Sequence, residues 1–364
     1  MKMAFYGSSL LSAYWNGAAT YYRGIIRALA GLGYEVTFYE PDVYDRQKNR
    51  DIDPPDWCRV VVYDGTVEAL QRVTAEASQA DIVVKASGVG FEDDRILEAV
   101  LAAASPTAVR VFWDVDAPAT LAELQAAPEH ALRRALADID LVLTYGGGEP
   151  VIEAYRDLGA RECIPIYNAL DPSTHHPAPP QPRFAGDLGF LGNRLPDRER
   201  RVEEFFLAPA ARLPEQRFVL GGSGWGDKPM SPNVNYIGHV GTADHNSFNV
   251  TPKAVLNISR ESMARNGFSP ATRVFEAAGA GACLITDYWE GIEMFLAPER
   301  EVLVARDGND VVDILSSLTR EKADAIGDAA MRRVLSEHTY ADRAELADAI
   351  FRRHVEMRRM EFVR

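Results

Sequence analysis

In Asn266-Gly-Phe-Ser-Pro-Ala-Thr-Arg-Val-Phe-Glu-Ala-Ala-Gly-Ala-Gly-Ala-Cys-Leu-Ile-Thr286, a polar turn, a helix start and an apolar strand follow one another without interruption. Gly267 closes the polar segment, Ser269 is a favourable N-cap and Pro270 suits the first helical position, so the spacing predicts a helix opening there. A helix start carries roughly half a positive charge and unpaired N–H donors, which suits a phosphate. Arg273, one turn in, adds a full charge at the same end. Glu276 follows three residues later on the same face, placed to accept hydrogen bonds from a pair of sugar hydroxyls. The helix runs into Ala277-Ala-Gly-Ala-Gly-Ala282, small residues that permit close contact with the apolar strand Ala282 to Thr286.

The same succession of strand, loop and helix recurs upstream and downstream. Lys2 to Tyr6 runs into Gly7-Ser8-Ser9, Tyr14-Trp-Asn16-Gly17 precedes a helical spacing over Ala18 to Leu32, and Glu35 to Glu40 returns as a strand. Arg59 to Tyr63, Ile82 to Ala86, Val109 to Trp113 and Leu141 to Thr144 read as further buried strands. Leu188 to Gly192, Phe218 to Leu220, Val234 to Val240, Ala254 to Ile258 and Val302 to Ala305 continue the series. Strands alternating with helices predict parallel α/β sheets, in which ligands collect at the carboxyl ends of the strands. The loops Ser87-Gly-Val-Gly90, Asp114-Val-Asp116-Ala-Pro118 and Tyr145-Gly-Gly-Gly148 stand at such ends. No Gly-x-Gly-x-x-Gly follows the first strand, so a dehydrogenase dinucleotide site gains little support.

Ile164 to Asp171 leaves a strand for a Pro-rich, charge-poor segment, His175 to Pro182, that has no periodicity. Such linker composition divides the chain into residues 1–172 and 183–340, with a charged terminal helix over 341–364. At 364 residues, each half can bury a sizeable core. A formal net charge of -14 argues against nucleic acid or an anionic membrane surface as partner, while leaving room for a small anion held by local arginines. Cys58, Cys163 and Cys283 are far apart and form no Cys-x-x-Cys pair, which reads as reduced, buried thiols in a cytoplasmic protein. No signal-peptide pattern opens the sequence, and no apolar run approaches the ~20 residues of a transmembrane segment. The oligomeric state is not encoded in any pattern of this kind.

Ser269-Pro270-x-x-Arg273-x-Phe275-Glu276-Ala277-x-Gly279-x-Gly281, followed by an apolar strand, resembles the nucleotide-sugar site of group 1 glycosyltransferases of the GT-B fold. Among these it most resembles the CgeB-like proteins, named after a spore-maturation protein. The resemblance implies an α/β chain of two Rossmann-like domains facing each other across a cleft, with a C-terminal helix packing back on the first. It implies a nucleotide diphosphate sugar as donor, held by the second domain, an acceptor on the first, and no cofactor. Ser269, Pro270, Thr272 and Arg273 would then hold the diphosphate and Glu276 the ribose. Asn193 and Arg194, in the loop after Leu188 to Gly192, would join them. The Lys that the wider family carries five residues beyond its Gly-Arg is Glu199 here, which leaves Arg198 as substitute. His239 and Val240, or Trp225, would meet the base, and Asn16-Gly17 would face the donor from the first domain. The second Glu that the wider group often has, eight positions before the ribose Glu, is Phe268 here. Asn168-Ala-Leu-Asp171, then His175-x-Pro177, resembles the joining segment of such enzymes, with Ala169 for the usual Gly.

Several features admit more than one reading. Asp114-x-Asp116 is the form in which GT-A enzymes hold a divalent ion, but it lies in the half that should take the acceptor. We expect a metal-free role, one carboxylate orienting or deprotonating the acceptor hydroxyl as a catalytic base; a carboxylate capping the turn before Pro118 is the structural alternative. His175-His176 lacks a third ligand at metal spacing and reads as solvated linker. Arg352, Arg353, Arg358 and Arg359 fit a terminal helix that packs back better than a nucleic-acid arm. Two other function classes share the architecture: a nucleotide-sugar epimerase and a non-catalytic structural protein.

Overall fold

The computed structural model describes residues 1–14 and 16–363; Trp15, in the Tyr14 to Gly17 stretch, lies outside the described residues. The chain divides into two compact units, Met1–Tyr167 with Tyr340–Arg364, and Asn168–Thr339. The first holds β1 (Lys2–Tyr6), β2 (Glu35–Asp42), β3 (Arg59–Asp64), β4 (Ile82–Ala86), β5 (Val109–Asp114), β6 (Leu141–Thr144) and β7 (Cys163–Pro165). These lie in the order β3-β2-β1-β4-β5-β6-β7, all parallel. The second unit holds β8 (Leu188–Leu191), β9 (Phe218–Gly221), β10 (Val234–Gly238), β11 (Ala254–Asn257), β12 (Leu284–Asp287) and β13 (Leu303–Ala305), in the order β10-β9-β8-β11-β12-β13, again all parallel.

Parallel sheets of this kind carry helices on both faces, so their strands are apolar throughout; β4, β6, β8 and β11 are buried along their whole length. Strand order reverses between β1 and β4 and between β8 and β11. Those two switch points are where an α/β sheet opens a crevice for a ligand. The apolar runs read as strands are strands, with ends shifted by no more than a few residues. After β8 a charged helix begins at Glu199 and passes through a π turn over Glu203–Leu207 into Ala208–Arg212. All three cysteines are buried, and burial pushes each thiol up to about 12. No helix among the described residues is long and apolar enough to cross a membrane.

The terminal helix Tyr340–Val363 belongs to the first unit. Several of its basic residues are used within the fold. Arg358 pairs with Asp140 at 2.7 Å, and Glu162 accepts from Arg353 at 2.6 Å and pairs with His354 at 2.8 Å. Tyr34 donates to Asp348 at 2.8 Å, and the Tyr340 ring lies 6.0 Å from that of Tyr21. The approach depends on Gly24, where a Cβ would sit 2.2 Å from Tyr340 Cδ2. Gly24→Ala is therefore expected to lower stability by about 1–3 kcal/mol, the usual cost of overpacking, in a denaturant titration. A variant as stable as the wild type would show that the helix is not seated through this contact.

Candidate functional site

At the stretch from Asn266 to Thr286 the helix is Thr272–Gly279, so Ser269 is not its N-cap and Pro270 is not its first residue. The reason lies in the carbonyl of Pro270, which accepts a hydrogen bond from Asn168 Nδ2 at 3.1 Å. A helix beginning at Pro270 would give that carbonyl to the N–H of Val274, which instead donates to Ala271 at 3.0 Å. Ala271 thus becomes the cap, and it offers no side-chain acceptor. Ser269 is buried, and the first turn, with Thr272 and Arg273, is left uncapped. An uncapped start retains its donors and its positive end for a ligand.

Two arginines meet at this end. Arg198 donates to the Asn193 carbonyl at 2.7 Å, while its Nε is buried without a partner. Burial, and next to it the Arg273 guanidinium, draw the Arg198 pKa down to about 10. Arg273 makes no hydrogen bond or ion pair with another described residue; burial lowers its pKa and Glu276 opposes the shift. A partly buried cation without a carboxylate partner is costly, so two that feel each other's charge favour an anionic ligand. Beside them Asp287, at the end of β12 and wholly buried, accepts from Arg201 at 2.6 Å and from the backbone and hydroxyl of Ser259 at 3.0 and 3.1 Å. It ties the loop after β11 to the helix that follows β8, and burial raises its pKa against those partners.

Arg194 is placed differently from expectation. It pairs with Glu199 at 2.7 Å and Asp227 at 2.9 Å, and Glu199 also receives Lys228 at 2.8 Å. Arg194 and Lys228 hold the Glu199 carboxyl down to about 2. With its charge met by two carboxylates, Arg194 fixes the loop after β8; the position without a counter-ion is Arg198. Asn193 has a similar part, its Oδ1 accepting the Ser223 N–H at 2.9 Å. The two loops touch at Gly222, where φ is +120° and a Cβ would lie 2.2 Å from the Gly192 carbonyl oxygen. Only glycine fits there.

Of the residues expected at the base, His239 is exposed. Val240 is buried, and its carbonyl lies 3.3 Å from His245 Nε2, a distance at which the protonated ring nitrogen donates to it. Trp225 has no accessible face for stacking and donates its Nε1–H to the Gly192 carbonyl at 2.8 Å. Both are therefore structural in this arrangement. His245 has its pKa lowered by burial, with Glu276 opposing and Arg273 adding to the shift. His175 corrects the reading of a solvated linker pair: it is buried, with Nε2 4.0 Å from Glu276 Oε1, whereas His176 is exposed. The sequence carried one signal for it, the match of its position to the joining segment.

In the first unit, Asn16 is buried and closes its own loop. It accepts from Ser8 Oγ at 3.0 Å and donates to the carbonyls of Ser9 and Ser12 at 2.9 and 3.1 Å, which occupies both of its amide N–H groups within the loop. Gly17 is exposed and has open space where a Cβ would stand. Glu40, at the end of β2, was not singled out from sequence. It is fully buried and accepts from Ser9 Oγ at 3.0 Å and from the N–H groups of Leu10 and Leu11 at 2.5 and 3.3 Å, shaping the loop after β1.

Asp114 is also fully buried: Oδ2 accepts from Tyr155 and Oδ1 from Thr120 at 2.9 Å and the Asp116 N–H at 3.0 Å. Burial raises its pKa, with those bonds opposing. A carboxylate so enclosed organises its turn and does not reach a substrate, which corrects its expected catalytic role. Asp116, partly exposed, is the member of the pair at the surface. A cavity of about 780 Å³ lies in this unit, lined by Lys2, Glu35, Trp57 and Arg59 among others. It opens at the amino ends of β1 to β3, opposite to where such sheets bind ligands.

Residues 198–349, which include Arg198, Arg273 and Glu276, match the family model described as glycosyl transferase-like. No curated protein sequence matches the chain. Among solved structures, Anabaena HepE in complex with UDP-glucose is similar over 96% of this chain and 99% of its own, at 13% identity and a TM-score of 0.67. Sucrose-phosphate synthase from Thermosynechococcus elongatus is similar over 97% and 98%, at 14% identity and a TM-score of 0.67. AviGT4, a glycosyltransferase involved in avilamycin A biosynthesis, is similar over 98% of both chains, at 18% identity and a TM-score of 0.62. At such identities the likeness is one of fold, and the fold is GT-B.

Proposed function

We propose that this protein is a glycosyltransferase that moves a sugar, in our reading a hexose, from a nucleotide diphosphate sugar to an acceptor hydroxyl, without a metal and in the cytoplasm. The observation that carries the proposal is the meeting of Arg198 and Arg273, neither with a carboxylate partner, at the uncapped start of the helix Thr272–Gly279. In transfer, the bond from the anomeric carbon to the diphosphate oxygen breaks as a bond to the acceptor oxygen forms. Charge collects on the leaving diphosphate, where two guanidiniums and a helix start stabilise it. Glu276 accepts from the ribose hydroxyls, and Asp116 takes the acceptor proton, with Asp114 holding the turn that presents it. The match of residues 198–349 to a glycosyl transferase-like family, and the UDP-glucose complex of a protein of the same fold, support this donor class.

The test is release of nucleoside diphosphate from a panel of nucleotide sugars, with simple alcohols as acceptors, before and after treatment with EDTA. Release at the same rate in both is the expected result. Loss of activity with EDTA and its return with manganese would overturn the metal-free mechanism. Conversion of labelled donor to an isomer without acceptor would favour an epimerase, and no turnover of any donor would favour a structural role.

A further inference from the structure

The segment that enters the second unit runs along the helix carrying Arg273 and Glu276 and touches it at three levels. At the start, Asn168 donates to the Pro270 carbonyl at 3.1 Å and sets where the helix begins. At the end, a Cβ on Gly279 would fall 2.3 Å from Leu170 Cδ1 and 3.2 Å from the His175 carbonyl, so the segment lies against the last turn. In the middle, the His175 ring faces Glu276, Nε2 to Oε1 4.0 Å, with the side chains 8% and 17% exposed. The ring is fixed from behind. Thr174 Oγ1 donates to the Asp171 carbonyl at 3.1 Å and lies 2.9 Å from His175 Nδ1, so it receives the Nδ1 proton. The Thr174 carbonyl is itself held by Asn246 Nδ2 at 2.9 Å. Nε2 is then the ring nitrogen turned to Glu276, and it donates to that carboxylate only when the ring is protonated. Arg273 on the same helix and His245, at the start of the helix His245–Val250, are the other basic groups of this cluster.

We infer that His175 is a positioning residue: held by Thr174, its ring fixes the Glu276 carboxylate in the rotamer that grips the two ribose hydroxyls, and so sets the preference for ribonucleotides over 2′-deoxyribonucleotides. The inference rests on the assignment of Glu276 to the ribose made above. A carboxylate with several rotamers accepts two hydroxyls well only when something limits it to one, and a group acting on that geometry changes discrimination more than general affinity. A buried ring that only fills space would leave discrimination untouched.

The experiment measures dissociation constants by calorimetry for UDP, ADP and GDP and their 2′-deoxy counterparts, on the full chain. The wild type is expected to prefer the ribose form of the nucleotide it binds by about tenfold or more, the scale of a hydrogen bond to a charged group, and Glu276→Ala to abolish that preference. His175→Phe, which keeps the ring volume without a polar nitrogen, is expected to lose most of it. His175→Gln, which keeps an N–H near the place of Nε2, should retain more. Melting temperatures near the wild-type value establish that the variants are folded, and the Gln variant serves where the Phe variant is not. Wild-type discrimination in His175→Phe beside its loss in Glu276→Ala would overturn the positioning role alone. A wild type indifferent to the 2′-hydroxyl, or a Glu276→Ala that keeps the preference, would overturn the ribose assignment and this inference with it.

Discussion

Replacing Arg273 by alanine is expected to slow sugar transfer about 100- to 1,000-fold, the range observed when one donor to a developing oxyanion is removed. Arg198→Ala should do nearly as much, and Arg194→Ala less than either. The order follows from which charges already have partners. Arg194 faces two carboxylates, Glu199 and Asp227, and its positive charge is largely answered within the protein. Arg198 has an orphan Nε and lies close enough to Arg273 for that guanidinium to lower its hold on a proton. Unanswered charge in a low-dielectric recess is what a leaving diphosphate needs, and the effect grows as charge accumulates in the transition state. The stability of the variants provides a second readout. Removing one of two repelling, partly buried cations should leave the melting temperature unchanged or raise it, whereas removing a structural cation would lower it. Wild-type turnover by Arg273→Ala, or an Arg194→Ala variant slower than it, would sink the assignment.

Much of this architecture was legible because parallel strands buried on both faces announce themselves as apolar runs, and glycine or charge marks their carboxyl ends. Leu188 to Leu191 and Ile82 to Ala86 are examples whose ends in the structure match the sequence almost to the residue. The helix starts two residues later than Ser269-Pro270 predicts, for a reason no local rule contains. Ser-Pro reads as cap and first turn, but Asn168, far away in the chain, takes the Pro270 carbonyl and delays the helix. Asp114 and Asn16 show the same limit from the other side. Their side chains look free in a sequence, and only the fold reveals Tyr155 and Thr120 around one, and Ser8, Ser9 and Ser12 around the other. For His175, a Pro-rich neighbourhood predicts exposure as solvated linker. In the structure that segment is laid against a helix instead.

Glu276→Ala is expected to weaken nucleoside diphosphate binding by roughly 10- to 150-fold, or about 1.5–3 kcal/mol, without unfolding the protein. Its three-residue spacing from Arg273 would permit an ion pair on one helix face, in which case the arginine would act only by holding the carboxylate. The geometry argues otherwise. No ion pair forms between the two, and the basic nitrogen facing Glu276 at 4.0 Å is that of His175. Arg273 and Glu276 feel each other through space, since Glu276 supports the arginine's charge, but in the proposed complex one serves the diphosphate and the other the ribose. The double variant Arg273→Ala with Glu276→Ala distinguishes the two arrangements. If one group binds phosphate and the other ribose, the two losses add, with a coupling below about 1 kcal/mol. If Arg273 only positioned Glu276, the double variant would bind no worse than Glu276→Ala alone. Binding of the bare nucleoside sharpens the comparison: Glu276→Ala should weaken it nearly as much as it weakens the diphosphate, and Arg273→Ala should leave it unchanged, because a nucleoside offers the helix start no charge to hold.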